Sequence, residues 1–238
     1  MPVLAGPTPS LRLRNRDTLR EQLAKQLGPG IGFACRDVDG DPKELWPVER
    51  EVVVNAIPRR QREFAAGRAA ARDAMAQLGL PPQAIPSAPD RSPVWPEGLV
   101  GSIAHDRNVC IAIAGRRDQV GALGIDIEED LEIDTTLWRA ICTPQELASI
   151  SALPKSEQRR CVTRLFCAKE AYFKWQHPQT GQMLDFCDVQ ILFSSNQTGF
   201  STVPALSENT SFPTCAREGR LLICGGMVLA WLIGPPTL

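Results

Sequence analysis

The chain has 238 residues, 43% of them hydrophobic and 22% charged, with a formal net charge of −1. That is an ordinary globular composition, long enough for one large domain or two modest ones without disulfide staples. The near-neutral balance argues against a broad basic face for nucleic acid or for an anionic membrane.

Charge is unevenly placed all the same. Residues 58–72 hold five arginines and one acid, while 126–134 hold six acids and no base. Such runs suit a polyanion held together with a cation, although each alone also reads as a solvated face. There are eight cysteines, none in a C-x-x-C, and the two histidines are His105 and His177. No zinc site is expected from these, and free thiols in a reducing cytoplasm are. The opening MPVLAGPTPS lacks the basic region and apolar run of a signal peptide. The longest apolar run, 221–233, is too short and glycine-rich to span a membrane.

In chain order, residues 12–27 space Leu19, Leu23 and Leu27 helically before Gly28 and Pro29 stop them. Residues 31–36 read as a strand, and 47–57 as a mixed stretch able to start a helix. A clearer helix runs from Pro58, suited to a first helical position, to a cap at Gly79. Phe64, Ala71, Met75 and Leu78 share its buried stripe. Gly67 suggests a close backbone approach. Arg59, Arg60, Arg68 and Arg72 on this helix form either a phosphate cluster or a solvent-facing side.

Six prolines between Leu80 and Gly98 exclude regular interior structure. A semi-rigid loop anchored by Trp95 is expected there. Strands follow over 99–103, 109–114 and 120–128, with His105 at the first turn. In the third, Ile125 and Ile127 alternate with Asp126 and Glu128. Two carboxylates then leave one face about 7 Å apart, within reach of one hard cation such as Mg²⁺. Any half-buried strand alternates in the same way.

Thr143-Pro144-Gln145-Glu146 is a capping box that opens a helix of about ten residues. A longer helix is expected over 156–176. On it Val162, Leu165, Lys169 and Tyr172 share one stripe, and Phe166, Glu170 and Lys174 the next. Glu170 and Lys174, at i and i+4, also match a common surface pair. Residues 186–194, 199–205 and 221–233 read as further strands. Helices and strands thus alternate in two stretches of about 120 residues, with no strong internal repeat.

Four segments carry a resemblance when taken in order: PRRQREFAAGRAAAR (58–72), RSPVWPEGLVGSIAH (91–105), GIDIE (124–128) and FCAKEAYFK (166–174). Together they resemble the Sfp/EntD-type 4′-phosphopantetheinyl transferases, and the arginine-rich helix and W-P-x-G approach resemble the siderophore-synthetase EntD branch. The resemblance implies an α+β fold of two similar halves in pseudo-twofold arrangement. The halves are expected at 1–119, on the adenine and 3′-phosphate side, and 120–238, carrying the metal carboxylates. Coenzyme A would lie in the cleft between them.

By the same resemblance Asp126, Glu128, Glu170 and the carbonyl of Ile127 would hold Mg²⁺. Lys174 and Lys169 would hold the pyrophosphate. Arg60, Arg68 and His105 would hold the 3′-phosphate end, with Arg91 near the adenine. The reaction implied moves the phosphopantetheine arm from coenzyme A to a serine of an acyl, peptidyl or aryl carrier protein and releases 3′,5′-ADP. Glu170 would take the serine proton, with Asp126 and Lys174 completing the catalytic set. The serine comes from the partner, so no internal nucleophile is needed. A cytoplasmic monomer is implied, with Arg159, Arg160 and Arg164 as candidates for docking an acidic carrier.

The family's S-I-S-H is Ser102-Ile103-Ala104-His105 here, followed by Asp106. A lost hydroxyl at Ala104 would weaken coenzyme A binding if it touched the 3′-phosphate. Two other readings compete with the transferase. One is a non-catalytic coenzyme A or nucleotide binder; the other is a Mg²⁺-dependent nuclease using Asp126 and Glu128, against which the even charge balance counts.

Overall fold

The computed structural model describes residues 9–205 and 217–235, with side chains from Arg16 onward. Most of the N-terminal segment read for a signal peptide, and Cys215, lie outside the described residues.

The molecule is α+β and is built from two antiparallel sheets, each with one long helix on it. In the first sheet, β1 (Ile31–Asp37), β2 (Leu99–His105) and β3 (Val109–Arg116) lie in the order β1-β3-β2. In the second, β4 (Ala122–Glu129), β5 (Val189–Phe193), β6 (Gly199–Pro204), β7 (Arg217–Cys224) and β8 (Met227–Gly234) lie in the order β4-β8-β7-β6-β5. The 221–233 run expected as one strand is a hairpin. Gly225 and Gly226, at φ 58° and 76°, make the tight turn that only positive φ allows. That Gly-Gly pair was the signal to read.

Helix α1 (Pro9–Ala24) and the short α2 (Pro47–Val53) lead to α3 (Pro58–Gln77). Ala70, Ala74 and Met75 of α3 pack on Ala34, Leu99 and Ala112 of the first sheet. Small side chains let helix and strands approach closely, which explains the alanine-rich sequence. Helix α4 (Trp138–Ile141) and α5 (Pro144–Ser151) precede α6 (Lys155–Thr180), which packs Val162, Ala168 and Ala171 on Val228 and Ala230 of the second sheet. The capping box at Thr143 and Glu146 is present. Helix α6 carries Pro178 in its last turn, and Gly181 caps it at φ 68°.

The opposite faces of both sheets share a third core. Val100, Ile111 and Ile113 meet Ile125, Ile127, Leu229 and Trp231 there, and Leu19 and Leu23 of α1 close it.

The proline-rich stretch is more ordered than a loop. Ala88 N–H donates to the Ser92 carbonyl, Ser87 bridges Pro93, and Val94 N–H donates to the Pro86 carbonyl. This is a miniature hairpin with Pro89, Asp90 and Arg91 at its tip. Its root is tied down by buried charge: Glu49 accepts from Ile85 N–H and from Arg72, and Arg68 donates to the Ile85 carbonyl and Ser87 Oγ. Trp95 lies over Gly101, where an added Cβ would come within 2.3 Å of the indole.

Candidate active site

Strands β2 and β4 run side by side in the same direction. Ile125 N–H donates to Ser102 Oγ at 3.1 Å, and Asn108 Nδ2 donates to Glu129 Oε1 at 2.8 Å. The first of these bonds shows that the Ile125 peptide turns away from β8. Two residues on, the carbonyl of Ile127 turns the same way, toward β2. Asp126 and Glu128 therefore project from the other pair of directions, onto the face covered by α6. There is no room there for a side chain at position 124: a Cβ on Gly124 would lie 2.1 Å from the Ala171 carbonyl. The glycine lets α6 settle on β4 and brings Glu170 and Lys174 over the carboxylates.

Lys174 Nζ stands 2.5 Å from Asp126 Oδ1. Asp126 Oδ2 is buried without a hydrogen-bond partner among the described residues. Burial raises the Asp126 carboxyl, against the pull of Lys174. Glu128 is pushed up to about 8 by burial first, then by the charge of Asp126, with Asp106 and Glu170 adding to it. Glu170 is raised by burial too, opposed by Lys174 and reinforced by Asp126. Burial works against the ammonium of Lys174, but Asp126 and Glu170 outweigh it and hold its pKa above the ordinary value. Three carboxylates thus face one ammonium, and an acceptor oxygen is left over. Hard oxygen donors short of positive charge suit a divalent cation of the Mg²⁺ kind. Among the described residues no group of three or more His, Cys, Asp or Glu side chains is placed to hold a metal ion; Asp126 contacts Lys174 instead.

This crowding has a measurable consequence. Free glutamate ionises near its ordinary value of 4.5, while Glu128 in the folded chain holds its proton up to about pH 8. The unfolded chain gives up that proton first, so the folded chain loses stability through this group as pH rises across the interval. The Glu128→Gln variant is free of that loss. Without divalent cation, its melting temperature gains on the parent's between about pH 4.5 and 8 and keeps a constant offset below. A constant offset throughout would place Glu128 in water.

His105 stands level with Glu128, at the end of β2. Arg60 Nη1 lies 3.1 Å from its Nε2. A guanidinium only donates, so Nε2 accepts and the neutral ring carries its proton on Nδ1. Burial lowers the His105 pKa, Glu63 opposes this, and Arg60 adds to it. A phosphate arriving here would meet the Arg60 guanidinium and the His105 ring.

Ala104 is 2% exposed and packs in the core shared by the two sheets. A serine hydroxyl there would point away from His105, so the departure from S-I-S-H costs this site nothing. Asp106 uses Oδ1 to accept from the N–H groups of Asn108 and Val109 and so closes the β2–β3 turn.

A cleft of about 820 Å³ opens on the other side of Lys174. It runs between β2, the start of β4, the hairpin tip and the end of α6. Val94, Trp95, Leu123, Phe173 and Met183 supply apolar wall, and Arg91 and Arg117 supply charge. Phe173 stacks on His177 with ring centroids 5.0 Å apart, and His177 Nε2 is 3.7 Å from Asp90 Oδ2. Phe173, His177 and Arg117 were passed over in the sequence. The spacing of His177 after Phe173 and Lys174, at i+4 and i+3, was the available sign.

Three expectations need correction. Lys169 is not in the cleft: 2% exposed, it donates to the Ile141 and Phe186 carbonyls and to Glu146 Oε2, which uses all three of its protons. Arg68 is turned inward, 5% exposed, to hold the hairpin root, and Arg72 is spent on buried Glu49. Arg91 lines the cleft together with Trp95, Phe173 and Lys174.

Two family descriptions match consecutive parts of the chain. Residues 48–115 match the 4′-phosphopantetheinyl transferase N-terminal domain, and 122–225 match the 4′-phosphopantetheinyl transferase superfamily. The chain is 35% identical over 172 residues to 4′-phosphopantetheinyl transferase PptT of Mycobacterium tuberculosis, covering 71% of this chain and 75% of that one. It is 31% identical over 201 residues to 4′-phosphopantetheinyl transferase Npt of Nocardia iowensis, covering 79% and 89%. It is also 31% identical over 178 residues to enterobactin synthase component D of Escherichia coli K12, covering 71% and 82%.

Proposed function

The chain belongs to the 4′-phosphopantetheinyl transferase superfamily, and from that premise we propose that it moves the phosphopantetheine arm of coenzyme A onto a serine of an acyl or peptidyl carrier protein and releases 3′,5′-ADP. The observation that carries this assignment is the contact of Lys174 with Asp126, whose second oxygen is left without a partner, between Glu128 and Glu170. A pyrophosphate is the ligand such a site lacks: it brings negative charge to Lys174 and a cation to the carboxylates.

Each side chain then has one task. Arg60 and His105 bind the 3′-phosphate. Lys174 leaves Asp126 for the pyrophosphate oxygens and offsets the charge that grows there. Glu170, four residues before it on α6, accepts the proton of the incoming serine. The serine oxygen bonds to the phosphorus that bears the pantetheine arm, and the bridging oxygen leaves with 3′,5′-ADP. Asp126, Glu128, Glu170 and the carbonyl of Ile127 would hold a Mg²⁺, which when bound neutralises pyrophosphate charge. The core shared by both sheets supports a monomer, and the free thiols of the seven described cysteines support a cytoplasmic setting.

The test is intact-mass measurement of an apo carrier protein incubated with this chain, coenzyme A and Mg²⁺. A gain of one phosphopantetheine, abolished by EDTA, is expected. Calorimetric binding of coenzyme A with no mass gain on several carrier types would overturn the transfer reading in favour of a non-catalytic binder.

A further inference from the structure

The two sheets meet at the active site along a seam with few directional contacts. Strands β2 and β4 lie side by side but belong to different sheets, and among the described residues no backbone hydrogen bond joins them. The core behind them, Val100, Ile111 and Ile113 against Ile125, Ile127 and Leu229, is apolar. Such packing holds the halves together but has no direction of its own. Direction comes from two side chains. Ser102, 3% exposed, accepts the N–H of Ile125 on its Oγ at 3.1 Å, and Asn108 Nδ2 donates to Glu129 Oε1 at 2.8 Å.

The two bonds enclose the site. In the first half Ser102 and Asn108 bracket His105, and in the second Ile125 and Glu129 bracket Asp126 and Glu128. Asn108 is itself held from both sides: its N–H donates to Asp106 Oδ1, and its carbonyl accepts from Val38 N–H. Each end of the short run that carries the site is thus pinned across the seam. Resting on the proposed transfer reaction, coenzyme A spans that seam, with its 3′-phosphate at Arg60 and His105 and its pyrophosphate at Lys174. Both groups hang from one ribose ring, so the ligand dictates the spacing of the two sites. A slip of one strand past the other breaks the match.

We propose that Ser102 and Asn108 are positioning residues: their bonds across the seam set the register of β2 against β4, and with it the distance from the 3′-phosphate site to the pyrophosphate site. They act through Arg60 and His105 on one side and through the carboxylates and Lys174 on the other. Asp106, whose Oδ1 closes the β2–β3 turn, presents Asn108 for this task.

The experiment compares coenzyme A with 3′-dephospho-coenzyme A, which lacks the group on the first side of the seam. Transfer onto one apo carrier and calorimetric dissociation constants are measured in parallel with Mg²⁺, at a temperature where each variant is folded. The parent should prefer coenzyme A. Ser102→Ala and Asn108→Ala should each lower kcat/KM for coenzyme A roughly three- to tenfold, the scale of one hydrogen bond, and raise its dissociation constant by a like factor. With 3′-dephospho-coenzyme A both variants should match the parent. Asn108→Asp sets two carboxylates face to face and should show the same selective loss. Adding Glu129→Gln lets an amide donate in the opposite direction and should restore the preference. Equal losses with both ligands would make the two residues plain supports of the fold and overturn the proposal. So would unchanged values for coenzyme A in both alanine variants, a parent that binds the two ligands equally, or a swapped pair no better than Asn108→Asp alone. A parent that transfers nothing, yet shows the binding preference that the variants lose, would sink the transfer reaction and leave the positioning role standing.

Discussion

Glu170→Gln lowers the rate of carrier modification roughly 10²–10⁴-fold, the range that follows loss of a general base. The substitution keeps the volume of the side chain and removes its charge and basicity together. Glu170 lies one helical turn before Lys174 on α6, and burial already weakens its hold on charge. It is absent from the buried polar groups on which the fold depends. The variant should therefore melt within a degree or two of the parent, and its circular dichroism should be unchanged. A rate near the parental one would remove Glu170 from the chemistry and return it, with Lys174, to the role of an ordinary i, i+4 pair.

The largest effect on stability belongs to the neighbouring residue. Lys169→Met costs about 3–5 kcal/mol, because it breaks a buried pair and leaves Glu146 without its cation. The side chains of Lys169 and Glu146 are 1% and 3% exposed, with Nζ and Oε2 2.7 Å apart. Glu146 also holds the N–H groups of Thr143 and Ile191, so one carboxylate joins the cap of α5 to the outer edge of β5. For a chain of this size the loss corresponds to a fall in melting temperature on the order of 10 °C. The Michaelis constant for coenzyme A, measured at a temperature where the variant is folded, should stay at the parental value. A raised constant with an unchanged melting temperature would put Lys169 on the pyrophosphate after all.

The contrast between Lys169 and Glu170 shows how far the sequence could be read. The helix was legible, and so was the stripe: Lys169 shares its face with Val162 and Leu165, both buried. A lysine on an apolar face is a lysine with internal partners, and only the resemblance of the motif argued otherwise. Arg68 has the same history, lying four residues after Phe64 and stacking its guanidinium on that ring. Its partners Ile85 and Ser87, and Glu49 for Arg72, come from segments whose approach no local pattern announces. By contrast, the period-two alternation at 125–128 was enough to place Asp126 and Glu128 on one face, because strand geometry is local. The hairpin at 86–94 escaped because prolines hide backbone pairing, while the cleft beyond Lys174 depends on four separate elements meeting.

The core that both sheets bury has a practical corollary for anyone wishing to divide this enzyme. The exposed turn at 117–119 is the natural place to cut, since little packs against it. Either fragment would then present an uncovered oily plane: Val100, Ile111 and Ile113 on one, Ile125, Ile127, Leu229 and Trp231 on the other. Neither piece is a miniature enzyme in waiting. Each is a sticky half that regains its shape only against its complement, which makes the pair a reporter of proximity between whatever two proteins they are fused to.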